Sequence, residues 1–233
     1  MHAAVATGTE RLDNVVWETL CDLHARHAVG TTRAKRMVRG FPPFAAFADN
    51  ERPDLDALRP FCAPGEALYV AGWRGAIPAS CRVDFEALAI QYIWDGPAPS
   101  IDPAPEAIRL GPQHVEAMMA LTEVTKPGPF GPRNIDMGEY YGVFEGERLA
   151  AMTGERLGAG RFREVSGVCT HPDFQGRGLA RRLMEKVMRL QMARGQTPFL
   201  HVMASNARAR SLYERMGFRM RRELLLRSVV LAP

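Results

Sequence analysis

From Tyr140 onward the sequence changes its hydrophobic period in a set order, and that order leaves few folds open. Residues 140–144 and 148–155 read as paired strands around the turn Glu145-Gly146-Glu147. Residues 162–170 predict a third strand, stopped by His171-Pro172, and residues 177–194 carry a helical stripe closed by Gly195. A strand over 197–203, a helix over 206–216 closed by Gly217, and an extended stretch over 218–230 complete the run. Hairpin, strand, helix, strand, helix, strand predicts an α/β (α+β) chain: a mixed sheet covered by helices. Just upstream, 107–110 reads as a strand and 112–122 as a helix, while three prolines keep 126–132 out of regular structure.

The first half is less regular. Residues 10–39 read as helical, with Leu12, Val15, Val16, Thr19, Leu20 and Leu23 at helical spacing before a break at Gly30. Phe41-Pro-Pro-Phe44 predicts an ordered loop, with Phe44 and Phe47 in the core. A short helix over 54–61 and strands over 67–73 and 85–94 make this half α+β. A chain of 233 residues is long enough for two units, and the Pro-rich stretch 96–105 suggests the boundary. The expected division is 1–105, an N-terminal α+β half, and 106–233, which holds the chemistry.

Composition narrows the function. With 46% hydrophobic and 24% charged residues, the chain is a globular protein and not a disordered tail. No apolar run approaches the roughly 18 residues that span a bilayer, and the start MHAAVATGTERLD lacks the pattern of a secretory leader, so a cytoplasmic address without membrane attachment is expected. Cys21, Cys62, Cys81 and Cys169 are widely spaced and contain no C-x-x-C, which predicts reduced thiols. Cys21, His24 and His27 drift around a helix and have no second ligand cluster, so no metal is expected. Charge is divided unevenly: residues 1–155 hold fourteen basic and twenty-one acidic side chains, the remainder sixteen and five. Such a field favours an anionic ligand. The arginines are not interleaved with the aromatics that stack bases, so a compact polyphosphate is expected and nucleic acid is not.

The place for it is the stretch Val168-Cys-Thr-His-Pro-Asp-Phe-Gln-Gly-Arg-Gly-Leu-Ala180, where a strand ends, a glycine turn follows and a helix opens. Gly176 and Gly178 let backbone approach a ligand, free helix N–H groups point at it, and Arg177, Arg181 and Arg182 stand on the opening turns. A pyrophosphate can dock there.

This stretch resembles the GNAT superfamily of acyl-CoA-dependent N-acyltransferases, whose signature is Gln or Arg, two residues, Gly, one residue, then Gly or Ala; Gln175-Gly-Arg-Gly178-Leu-Ala180 satisfies it. The fuller phrase GVCTHPDFQGRGLARRL, with PGPFGPRN and LYERMGF, is similar to the branch containing glycine-N-acyltransferase-like predicted acetyltransferases, over a little more than half the chain. The resemblance implies a mixed, mostly antiparallel sheet flanked by helices, acetyl-CoA or another short acyl-CoA as co-substrate, and a small-molecule or peptide amine as acceptor. It implies that Gln175, Gly176, Arg177, Gly178, Leu179 and Ala180 wrap the coenzyme pyrophosphate. Val168, Cys169 and Thr170 would then bond its pantetheine arm, and Asn206 and Tyr213 would contact the coenzyme and its sulfur. Residues 1–105 would be a degenerate GNAT-like or family-specific half.

Acyl transfer to an amine needs a proton acceptor, an oxyanion donor and a proton for the leaving thiolate. Tyr213, seven residues after Asn206 on one helix face, suits the last; otherwise it is a core aromatic. Gly167 suggests a bulge that frees the Val168 N–H for the oxyanion, and alternation puts Glu164, Ser166, Val168 and Thr170 on one face unless that bulge shifts the count. Glu164 is the first candidate for the base, against an ordering role or a pair with an arginine such as Arg163. His171 and His201 are weaker candidates, and Cys169 lacks the partners of a nucleophile. Arg133, Tyr140, Tyr141, the loop 126–134 and the first half are expected around the acceptor. A non-catalytic acyl-CoA sensor is the alternative function; association into a homodimer is left open.

Overall fold

Eleven strands pair edge to edge into one sheet in the computed structural model, which describes residues 8–232; residues 1–7, part of the stretch read for a leader, lie outside the described residues. The strands are β1 (Ala28–Gly30), β2 (Ala34–Met37), β3 (Phe44–Phe47), β4 (Ala67–Ala71), β5 (Cys81–Ile93), β6 (Ile108–Leu110), β7 (Tyr140–Glu145), β8 (Arg148–Ala159), β9 (Phe162–Thr170), β10 (Thr197–Met203) and β11 (Arg219–Leu231). The α-helices are α1 (Val15–Cys21), α2 (Val115–Thr125), α3 (Leu179–Ala193) and α4 (Ala207–Met216). Strand order is β1-β2-β3-β4-β11-β5-β10-β9-β8-β7-β6, antiparallel throughout except for β3 with β4 and β9 with β10. This is the mixed, mostly antiparallel sheet with helices on its faces that the sequence predicts.

Two features of the sheet position the site. The parallel ladder of β9 and β10 runs only from Phe162 and Thr197 to Glu164 and Phe199. Beyond those residues β9 stays paired to β8 and β10 to β5, so the two strands part and leave a gap. Second, β5 from the first half lies between β10 and β11 of the second, antiparallel to both.

The two faces are covered by different helices. On α3, Met184, Val187 and Met188 recur at helical spacing and pack with Ile90, Leu200, Val202, Tyr213 and Phe218, while Leu183 packs with Ala150 and Phe174. Each such side chain, fully buried, contributes roughly 1.5–3 kcal/mol. On the other face, Leu12 and the α1 residues Val15, Val16 and Leu20 pack with Phe44, Leu157 and Phe199. Strand β10 thus sends Leu200 and Val202 toward α3, and Phe199 toward α1. No helix among the described residues is long and apolar enough to cross a membrane.

The expected helix over 10–39 is corrected. A 3-10 turn at Glu10–Asn14 leads into α1, which ends at Cys21; a second 3-10 turn at Ala25–His27 and the β1–β2 hairpin follow. Gly30 permits that turn: its φ is 138° and a Cβ there would lie 2.2 Å from the Ala34 carbonyl oxygen. Thr31 Oγ1 accepts the amides of Arg33 and Ala34, so the Gly-Thr-Thr run serves a turn and not a helix. The short helix expected over 54–61 is a 3-10 helix at Asp56–Phe61. Phe44 and Phe47 are buried, as expected, but on strand β3.

Candidate functional site

A cavity of about 700 Å³ fills the gap between β9 and β10, walled by Ser166–Thr170 on one strand and His201–Met203 on the other. It runs from the turn before α3 to the face that carries α1, where Leu12–Val16, Phe44, Gly72 and Gln91 line it.

At the end next to α3, Gly176 and Gly178 have φ values of 80° and 74°, left-handed conformations that favour glycine. A Cβ at either would meet no atom within 4 Å, so the space in front of the turn is open. Helix α3 begins at Leu179, two residues later than expected, because Gly178 is its left-handed cap. The first intrahelical amide is Arg182 N–H to Gly178 O at 3.1 Å, leaving the amides before it directed outward at the positive end of the helix dipole. The arginines on these turns are directed elsewhere. Arg177 pairs with Glu145 and lies over the Phe174 ring, Arg181 pairs with Glu185, and Arg182 with Glu106 and the Pro103 carbonyl. A further cation, missed by the sequence reading, is Arg208 on the first turn of α4, which donates to Gln175 Oε1 at 2.7 Å and, like Arg181, lines the cavity.

Strand β9 carries the expected bulge. Met152 pairs with Cys169 and Gly154 with Ser166, so three steps on β9 match two on β8, and Gly167 takes φ 61°. Val168 is left out of that ladder. The bulge also overturns the simple alternation: Val165 and Val168 both pack on the α3 side, whereas Glu164 bonds to groups on the opposite face. Thr170 Oγ1 is buried without a hydrogen-bond partner on a cavity-lining residue, a polar group available to a ligand. Cys169 packs beneath α2, and burial pushes its thiol up to about 12, which removes the thiolate a nucleophile needs.

Asn206 caps α4, its Oδ1 accepting the Ala209 amide at 3.1 Å, so it stands just outside the helix; with Tyr213 it lines the same cavity. Burial pushes the Tyr213 phenol up to about 12, with Cys169 adding to the effect.

Glu164 is 0% exposed, and all its acceptor sites are engaged. Arg156, not Arg163, is its partner: Nε donates to Oε2 at 2.9 Å and Nη2 to Oε1 at 3.0 Å. The Leu157 amide donates to Oε2 at 3.2 Å, and His201 Nδ1 lies 2.8 Å from Oε1. Burial alone would raise the Glu164 carboxyl, but the Arg156 charge and the His201 hydrogen bond hold it well below the carboxylate range. His171 has a local task, its Nδ1 accepting the Asp173 amide at 3.3 Å. His24 bonds the Arg156 carbonyl and His27 stacks on Phe41, so the two turn to different partners.

Around the acceptor side, Lys126–Pro129 line the cavity, as does part of the first half. Arg133 is paired with Asp136 and lies over Phe41, Tyr140 is a core residue whose hydroxyl accepts from Asn134, and Tyr141 donates to Glu139; none of the three lines the cavity.

The fold and this site define the acetyltransferase class. A family model described as FR47-like protein matches residues 140–226. A structure from Novosphingobium aromaticivorans, described as belonging to the GNAT family, is 37% identical, with a TM-score of 0.85 over 95% of this chain and 99% of its own. The chain belongs to the GNAT family. The same fold recurs at low identity in a GCN5-related N-acetyltransferase from Kribbella flavida (13% identity, TM-score 0.59, 96% of both chains). It recurs too in a GNAT acetyltransferase from Colwellia psychrerythraea (12%, 0.53, 86% and 82%). No curated protein matches the sequence.

Proposed function

We propose that the protein is an acyl-CoA-dependent N-acyltransferase that moves an acetyl group from acetyl-CoA to a primary amine by direct attack. The observation that carries this reading is the continuity of one cavity from the left-handed turn at Gly176 and Gly178, past the bulge at Val168, to the polar floor at His201 and Gln91. One end suits linked phosphates and the other an amine. Amides of Gly176, Arg177, Gly178, Leu179 and Ala180 would hold the pyrophosphate, with Gln175 and Arg208 at its edge. Backbone groups of Val168, Cys169 and Thr170 would hold the pantetheine arm. The Val168 N–H, outside the β8 ladder, is the oxyanion donor, and Tyr213 protonates the leaving sulfur beside Asn206. Glu164 stands behind the basic end of the site, bound to Arg156 and His201.

We assign the chain to the glycine-N-acyltransferase-like branch on its motifs alone, and to the cytoplasm on its four free thiols. The division into 1–105 and 106–233 belongs to the same proposal. In support, β1 to β4 pair antiparallel, antiparallel, parallel, and β7 to β10 repeat that sequence. The first half then reads as a GNAT-like unit that has lost its glycine turn.

Release of free thiol from acetyl-CoA, measured across a panel of primary amines, tests the reading. Amine-dependent release with matching N-acetyl product is expected. Saturable binding of acetyl-CoA without release for any amine would make the protein a sensor instead.

A further inference from the structure

On the sheet face opposite α3, a row of polar side chains crosses five strands: Arg156 on β8, Glu164 on β9, His201 on β10, Gln91 on β5 and Arg221 on β11. The donors and acceptors along it determine where each proton sits. Arg221 has only donors, and its Nη1 lies 2.8 Å from Gln91 Oε1; the Leu12 carbonyl only accepts, and lies 3.2 Å from Gln91 Nε2. The Gln91 amide therefore turns its NH₂ toward His201, whose Nε2 is 3.0 Å away and must accept. The imidazole proton is then on Nδ1, donated to Glu164 Oε1. The register agrees, since His201 and Gln91 are directly opposed on β10 and β5. Of the two titratable members, Glu164 has a side chain 1% exposed and does not line the cavity, whereas His201, 14% exposed, does.

We propose that His201 is the catalytic base of the transfer reaction proposed above, and that Glu164 and Arg156 are positioning residues that orient its ring. This rests on the acyl-transfer reading. The Gln91 amide marks where an amine N–H binds, and it keeps its bonds to Arg221 and Leu12 when the amine replaces it at Nε2. In the reaction the amine lone pair forms the C–N bond at the thioester carbonyl carbon, and His201 Nε2 takes the nitrogen's proton. The C–S bond then breaks and the sulfur takes the Tyr213 proton. The imidazolium returns its proton through water to the phenolate, which leaves amide and thiol as the only changes.

The titratable and charged groups packed around the pair come from several elements. Arg156 pairs with Glu164, and Arg221 bonds Gln91 with Asp13 paired behind it. Arg163 and Tyr140 act on Glu164 from further off, and burial pushes Tyr140 up. His24, on the Arg156 carbonyl, is pushed down to about 4.

The test is the pH dependence of kcat/KM with one amine from the panel, whose own ionisation is common to every variant. For the wild type, log kcat/KM should rise with slope two below the His201 ionisation and slope one above it. His201→Asn should lose on the order of 100-fold or more in kcat and keep slope one throughout, with acetyl-CoA affinity within about 3-fold. Glu164→Gln should move the break to lower pH, because the imidazolium loses its anionic partner. A His201→Asn enzyme that keeps both its rate and the steep limb overturns the proposal. Nitrogen-15 NMR of the imidazole reads the pair without turnover: protonation at Nδ1, with an ionisation lowered by Glu164→Gln, supports it, and an Nε2–H tautomer overturns it. A wild type inert to all amines would sink the transfer reading, while the NMR result would still decide the tautomer.

Discussion

The ring of Tyr213 packs edge-on against Tyr92 and Phe218, with centroids 6.4 and 6.1 Å away, while the residue also lines the cavity. A core aromatic and a proton donor are here the same side chain. With its phenol at about 12 and a thiol ordinarily near 8.5, proton transfer to sulfur runs uphill. Its contribution should fall at the low end of the general-acid range, so Tyr213→Phe should lower kcat about 100-fold and change acetyl-CoA affinity less than about 3-fold. Steady-state thiol release and calorimetry separate the two effects. His24 gives a second residue-scale expectation. It is 3% exposed, its Nε2 donates to the Arg156 carbonyl at 2.8 Å, and burial pushes it down from 6.5 to about 4. Below pH 6.5 the unfolded chain binds a proton that the folded chain refuses, so stability present above pH 6.5 is lost as pH falls toward 4, by up to ~3 kcal/mol. Denaturant unfolding of His24→Gln, which keeps an N–H donor, should show a flatter stability profile across that window than the wild type.

The turn before α3 owes its shape to two glycines whose constraint is backbone conformation, since neither has a neighbour where a Cβ would stand. Gly178→Ala should therefore cost roughly 1–2 kcal/mol in stability, and also weaken acetyl-CoA binding tenfold or more by placing a methyl in front of the open amides. Gly146→Ala is the control: φ is 62° with equally open surroundings in the β7–β8 hairpin, so it should cost similar stability and leave coenzyme affinity unchanged. Thermal melts and a binding titration on the two variants decide between a strained turn and a ligand cradle. This element was legible in the sequence because strand, glycines and helical stripe are consecutive, and the period carries through β7 to β11. The start of the chain was not legible, because Leu12 to Leu23 keep helical spacing across the α1 end while Gly30 and Thr31 build a hairpin. The coenzyme end of the site came from local signals, whereas its basic end did not. Gln91 and His201 meet across strands 110 residues apart, and Arg156 displaces Arg163 as the partner of Glu164 through cross-strand geometry. The β9 bulge separates Glu164 from Val168, a parity change that residue types do not encode apart from Gly167.

At the scale of the whole molecule, the last strands of the two halves are exchanged. β5 closes the first half in sequence but pairs with β10 and β11, and β11 closes the second half but pairs with β4. The acceptor end of the cavity is built on this exchange: β5 supplies Gln91 to its floor, β11 supplies Leu224 and Leu226 to its wall, and residues Leu12–Val16 cover it. The boundary expected near residue 105 thus separates sequence units whose strands interleave. Without residues 1–105, β10 and β11 would both expose unpaired edges. The core beneath α3 would also lose Ile90 and Tyr92, which are 1% and 0% exposed. At roughly 1.5–3 kcal/mol for each buried side chain, together with Ala89 and Ile93 and the lost ladders, the deficit is comparable to the 5–15 kcal/mol that stabilises a typical domain. A fragment of residues 106–233 should show no cooperative thermal transition and no acetyl-CoA binding despite carrying the whole glycine turn, and co-expression with residues 1–105 should restore both. A fragment that melts cooperatively and binds the coenzyme alone would show that the second half closes its own sheet, and that the interleaved strands serve only to form the acceptor end.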